Sequence, residues 1–386
     1  MKLGVALIMK RLLTAAVVTA LALAAVPASA RQASGPSPGG VSSDNVEWVA
    51  HIPFSAPSGS GGRLVGRYFY AIDSTKLTIY DTKDPLNPTL VGVLENPHEP
   101  IFTREDIDTN GRILLMPNLA LAPGPLHIVD VEDKSDPQII ASVPNMSNHT
   151  FSCVLDCKYA YGSEGFIIDL RDPANPVVGD KKWGDDKPGG NNAHDVTEVA
   201  PGIVLTATPQ IMLLDARKNP MDPKLLAVGT TPDQRFQHTA VWPNMGRDRW
   251  ILMAGETNFK PRCSDSGGAF MTFDSKSWKK TKTFQFVDEY RVSNGTYADG
   301  SPAVNAVGCS SHWHEERPDF RNGGIVAAAF FEHGTRFLDI QPDGKIKEVG
   351  WFMPHAGSTG AVYWRTKDIL YATDYSRGID ILRFND

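Results

Sequence analysis

One short phrase recurs seven times along this chain, and such a repeat restricts the fold to an array or closed ring of one small unit. The phrase is a short, mostly apolar run, β-branched in several copies, closed by Asp. It reads Leu77-Thr78-Ile79-Tyr80-Asp81, Leu126-His127-Ile128-Val129-Asp130, Phe166-Ile167-Ile168-Asp169, Met212-Leu213-Leu214-Asp215, Phe270-Met271-Thr272-Phe273-Asp274 and Arg336-Phe337-Leu338-Asp339. A seventh copy, Ile379-Asp380-Ile381-Leu382-Arg383, carries Arg in the last place. The closing residues lie 49, 39, 46, 59, 65 and 44 apart, near the roughly 40–50 residues of a propeller blade. A second apolar run precedes each phrase, as in Lys158-Tyr159-Ala160-Tyr161, and an Asp-Pro turn with a further strand follows several. Each unit thus offers about four short strands between turn signals.

The expected fold is all-β, a seven-bladed β-propeller of four-stranded blades spanning Asn45 to Asp386. The last phrase leaves its blade one strand short. Val46-Glu47-Trp48-Val49-Ala50-His51 supplies the missing strand and closes the ring, which removes free sheet edges. The repeat resembles the LVIVD-repeat β-propeller family of exported bacterial and archaeal proteins, with Leu126-His127-Ile128-Val129-Asp130 nearest the signature. That resemblance covers nearly the whole chain after residue 44 and implies a fold more than an activity. There is a fainter similarity to the selenium-binding protein and methanethiol oxidase propellers, which use histidines and a metal. No catalytic residue is carried over from them.

Ahead of the repeats, Lys10 and Arg11 precede an apolar run from Leu12 to Val26, and Pro27-Ala28-Ser29-Ala30 offers a small-residue cleavage site. This is the layout of a secretory signal peptide over residues 1–30, with Met9 an alternative start. Residues 31–44 are rich in Ser, Gly and Pro and read as a flexible linker. The expectation is an exported monomer with no membrane span in the mature chain. The formal charge is −6, and removing Lys2, Lys10 and Arg11 deepens it by three, so nucleic acid is excluded as a partner.

The ten histidines carry the functional argument. On a propeller, His149, His194 and His238 fall at the start of the innermost strands of blades 3, 4 and 5. Blade 6 has His312-Trp313-His314, whose two histidines share a side if the segment is a strand. These five are the expected metal ligands. His98 and His355 lie in entry loops and His333 in a second-to-third strand connection. Eight histidines therefore map to one face, and only His51 and His127 do not.

Carboxylates join them. Glu105 takes the His194 place in blade 2, Asp195, Glu315 and Glu316 follow ring histidines, and Glu164, Glu256, Glu332 and Asp374 occupy second-to-third connections. Imidazole with carboxylate suits Zn, Fe, Cu or Mn better than Ca or Mg. His98, Glu105, Asp195, Glu164, Glu256, Glu315, His333 and His355 are expected behind the ligands or in the pocket, where such groups orient imidazoles. The alternatives are a polar pocket without metal and histidines that only cap strands. The partner is a small molecule, processed by oxidation or hydrolysis, or else an extracellular protein on a non-catalytic platform.

Four cysteines allow three disulfide connectivities. Cys153 and Cys157 flank one hairpin turn, while Cys263 and Cys309 sit in the two longest irregular segments. The expected pairs are Cys153–Cys157 and Cys263–Cys309, the second pinning a rim over the histidines. Arg262, Asp265 and Tyr297 on that rim are candidate substrate contacts. Asp106-Ile107-Asp108-Thr109-Asn110-Gly111 matches the first half of a calcium loop, but Pro117 stands where its last ligand belongs. Asn110-Gly111 reads instead as a hairpin turn.

Overall fold

Every copy of the phrase that ends in Asp, and the one that ends in Arg, forms the third strand of an antiparallel sheet. The computed structural model describes residues 39–56, 61–97, 107–118, 124–146, 148–232, 237–256, 268–292 and 310–386, and there the chain is all-β. The first sheet takes Gly62–Val65, Tyr68–Ile72, Lys76–Asp81 and Thr89–Glu95, in that spatial order. The second takes Asp108–Thr109, Ile113–Met116, Leu126–Asp130 and Gln138–Val143, and the third Phe151–Val154, Tyr159–Gly162, Ile167–Asp169 and Val177–Val178. An eight-stranded sheet follows. One half is Val196–Ala200, Ile203–Thr206, Gln210–Asp215 and Lys224–Thr230; the other is Gln237–Val241, Trp250–Gly255, Phe270–Asp274 and Thr283–Tyr290.

The halves, here the fourth and fifth sheets, meet through a short parallel pairing of Val228 with Thr283 and Gly229 with Phe284. The sixth sheet holds His314–Glu316, Gly324–Ala329, Thr335–Ile340 and Ile346–Pro354. The seventh holds Thr359–Trp364, Ile369–Asp374 and Gly378–Phe384, with Val46–Pro53 as its fourth strand.

The reason for the repeated Asp is local. Its carboxylate accepts the backbone N–H two residues on: Asp81 from Lys83 (2.9 Å), Asp130 from Glu132 (2.9 Å), Asp215 from Arg217 (3.0 Å) and Asp274 from Lys276 (2.7 Å). This turn ends the third strand and releases the chain toward the fourth. In the seventh copy Arg383 pairs with Glu47 on the N-terminal strand instead.

Second strands such as Trp250–Gly255 and Ile369–Asp374 are buried along their whole length. Both of their faces pack against neighbouring sheets, which is why they read as mainly apolar runs, with Thr373 and Asp374 the polar end of the second. Seven buried apolar clusters occur among the described residues, and each spans two sheets that follow one another in the chain, or the last and the first. The cluster between seventh and first sheets includes Phe69, whose ring lies 5.2 Å from Tyr363 and 5.4 Å from Tyr371.

Gly40–Ser42, inside the stretch read as a linker, is a strand on the edge of the sixth sheet, paired with Phe352–Pro354. Lys279 and Lys280 lie in a single helical turn, Trp278–Thr281. Asn110 and Gly111 (φ 86°) do turn between the first two strands of the second sheet. The signal segment lies outside the described residues. No helix among those described is long and apolar enough to cross a membrane.

Cys153 and Cys157 are joined by a disulfide; Cys263 and Cys309 lie outside the described residues, as do Arg262, Asp265 and Tyr297. Leu155, Asp156 and Cys157 all take positive φ (55°, 62° and 55°), a run that only a firmly closed turn sustains. Loop-closure entropy for so short a loop is about 2 kcal/mol. The Cys153→Ser/Cys157→Ser protein is therefore expected to unfold with about 2 kcal/mol less stability, and an unchanged urea midpoint would count against this.

Candidate functional site

Four histidines sit at the entrances to the first strands of four successive sheets. His149 precedes Phe151–Val154, His194 precedes Val196–Ala200, His238 lies in Gln237–Val241 and His312 precedes His314–Glu316. A repeat places equivalent residues at equivalent points, so neighbouring sheets bring these side chains together. Their rings form one continuous series with centroid separations of 5.1, 3.9 and 3.7 Å. His149 is half-buried; His194, His238 and His312 are buried.

A carboxylate completes the group. Glu256 follows directly on the second strand of the fifth sheet, and the peptide before it is anchored by two serines. Ser311 Oγ donates to the Gly255 carbonyl at 2.9 Å, and Ser310 Oγ to the same oxygen at 3.3 Å. One ligand atom each from His194, His238 and Glu256 lie within 4.8 Å of one another. Donors about 2.1 Å from one tetrahedral ion stand roughly 3.4 Å apart, so side chains spaced more widely would draw inward around it. The group can hold a metal ion, and its two nitrogens and one oxygen suit a first-row transition metal.

Trp313 backs the cluster. Its indole stands edge-on to His238 at 4.8 Å and packs against the core between the seventh and first sheets. Phe331 lies 4.5 Å from His312, and Tyr375 stacks on Phe331 at 5.9 Å. His312 Nδ1 donates to the Gly360 carbonyl at 2.5 Å.

The other expected residues fall as follows. His314 points elsewhere: its ring meets Phe270 edge-on at 5.0 Å, and burial pushes it down to about 3 against the carbonyls of His312 and Leu252. The shared side inferred from a two-residue spacing fails because His312 lies before the strand, where alternation does not apply. Asp195 is buried and accepts from Thr197 and Thr239 at 2.8 Å each, tying the fourth sheet to the fifth. Burial raises its carboxyl above the usual range, opposed by those two hydroxyls.

His333 is buried in the turn between the second and third strands of the sixth sheet, and His355 is half-buried between the sixth and seventh. Glu164 is exposed. Glu332 is buried and accepts from Ser358 Oγ at 3.4 Å. Asp374 receives the Ser358 and Ser376 N–H groups and lies 3.9 Å from Arg377. His98 and Glu105 lie outside the described residues. Among four carboxylates at equivalent connections, sequence alone could not single out Glu256. Phe331 and Tyr375 carried no signal at all.

Glu315 and Glu316 line a cavity of about 370 Å³ with Arg63, Thr197, Trp313 and Tyr363. Burial pushes Glu315 up to about 8, although the Trp364 N–H donates to it. Burial pushes Glu316 up to about 7, with Asp248 adding to the effect. A carboxyl raised in the folded state keeps a proton that the unfolded chain has released. Its stabilising contribution is therefore complete below the ordinary glutamate range and fades as pH rises toward 8. Glu315→Gln is expected to flatten the fall in stability between pH 5 and 9 by roughly 1–3 kcal/mol. Parallel pH profiles of urea unfolding for the two proteins would contradict it.

No protein-family model matches the chain, and no curated protein matches it.

Proposed function

We propose that this chain is an exported, seven-bladed β-propeller of the LVIVD-repeat kind that binds one transition-metal ion at the rim of its central channel. The observation that carries the metal reading is the meeting of His194, His238 and Glu256 ligand atoms within 4.8 Å. The ring is supported by the apolar cluster joining the seventh sheet to the first. Contacts between the first strands of successive sheets, including seventh with first, support it as well. The Cys153–Cys157 disulfide fits an oxidising compartment.

His194, His238 and Glu256 would hold the ion, with His149 and His312 beside them. An ion held by these side chains and able to take five or six ligands keeps a position for water or a small molecule, and it would supply Lewis acidity or redox chemistry there. The chain's own residues shape the surroundings. Trp313 backs the site with an apolar wall, and Ser310 and Ser311 fix the peptide that presents Glu256.

A metal-free platform for a small molecule or extracellular protein is the competing reading. It draws on the 3.7 and 3.9 Å ring separations, which are close packing for imidazoles. Elemental analysis of the purified protein, beside a His194→Ala/His238→Ala variant, separates the two. Bound Zn, Fe, Cu or Mn in the first and its loss in the second is the expected result. Equal metal content would overturn the site.

A further inference from the structure

Phe331 is a buried aromatic residue held at φ 44°, in the left-handed region that bulky side chains rarely adopt. Glycine is the usual occupant of such a position, and Gly334 takes one (φ 70°) three residues on. A phenylalanine kept there against its own preference points to a task for the ring.

The ring packs 4.5 Å from His312 and stacks on Tyr375. The backbone acts on the same histidine from another direction. The Phe331 carbonyl accepts the Thr359 N–H at 2.9 Å, and the two residues form a bridge between turn and strand. Thr359 is followed by Gly360, whose carbonyl receives His312 Nδ1–H at 2.5 Å. Phe331 therefore contacts the imidazole itself, through a ring tilted 48° to it, and supports the acceptor that orients it. A carbonyl can only accept, so Nδ1 carries the proton and neutral His312 bears its lone pair on Nε2. That tautomer is the one a metal or a substrate proton needs.

We propose that Phe331 is a positioning residue. It holds His312 in the Nδ1–H tautomer so that Nε2 serves as a further imidazole ligand beside His194, His238 and Glu256. The role of Nε2 rests on the metal reading above; the orientation of the ring does not.

The test uses Phe331→Ala, Phe331→Leu and Phe331→Tyr beside His312→Ala, each checked for folding by circular dichroism. In the metal-free protein, long-range ¹H–¹⁵N NMR should show one Nδ1-protonated His312 in wild type and Phe331→Tyr. Mixed tautomers are expected in Phe331→Ala. Titration with Co²⁺, followed by visible absorption, should give Phe331→Ala an affinity tenfold or more weaker and the spectrum of His312→Ala. Phe331→Tyr should restore both. Phe331→Leu, which keeps apolar volume, should repeat the alanine result and decides the matter if alanine unfolds the chain.

A single Nδ1–H tautomer with the wild-type Co²⁺ spectrum in the alanine and leucine variants would overturn the proposal. Failure of the wild type to take up Co²⁺ would instead overturn the metal reading, and the ligand role of Nε2 with it.

Discussion

Replacing Asp380 with alanine is expected to lower the unfolding free energy by about 3–5 kcal/mol, the usual cost of breaking a buried ion pair from one side. Asp380 is buried where the N-terminal strand joins the seventh sheet. Its oxygens accept from Trp48 Nε1 at 2.8 Å, His51 Nδ1 at 2.9 Å and Arg377 at 2.8 and 3.1 Å. Trp48 and His51 belong to the strand that arrives from the other end of the chain. One carboxylate thus fastens residues more than 320 positions apart in sequence. Alanine takes away the nearer of the two carboxylates beside the Arg377 side chain, Asp380 at 2.8 Å against Asp374 at 3.9 Å.

Burial alone would raise the Asp380 carboxyl, but His51, Arg377 and Trp48 together hold it below the ordinary range. The sign follows. The stabilisation is complete above the ordinary aspartate range and disappears as pH falls through the lower folded value. The gap between wild type and Asp380→Ala in urea unfolding should therefore narrow on acidification. Equal midpoints at pH 7 would dismiss the latch.

The His194→Ala/His238→Ala variant is expected to lose metal affinity by more than about a hundredfold, because two of three converging ligands go at once. The measurement is competition with a chromophoric chelator at fixed Zn²⁺ or Co²⁺. Metal ligation needs the unprotonated imidazole nitrogen, so wild-type affinity should fall on acidification. Glu256 gives a control within the same site: Glu256→Gln keeps the volume and removes the charge. A double variant with wild-type affinity would mean that any ion lies elsewhere.

Much of the fold was legible because the repeat is written in strand chemistry. Ile79, Val129, Leu214 and Phe273 each stand one or two residues ahead of an Asp that closes its strand by catching a backbone N–H. Such a signal is local and needs no knowledge of the rest of the chain. The need for a fourth strand after Arg383 was also visible, and Val46–Pro53 supplies it. Gly40–Ser42 was not, since a short Gly/Ser segment becomes a strand only when an edge such as Phe352–Pro354 is offered. The histidine positions were legible as a register, and their rings do lie in series.

What the sequence determined by itself, then, is periodic: the strands, their turns, and the equivalent places of His149, His194, His238 and His312. Only the tertiary structure decided which side chains meet. It separated His314 from His312, set Glu256 rather than Glu164 beside two imidazoles, and placed Phe331 against His312. The physical reason is that register along a strand is fixed by backbone geometry, whereas convergence depends on how loops at the ends of separate sheets pack. Repetition specifies the first and leaves the second to contacts between residues far apart in the chain.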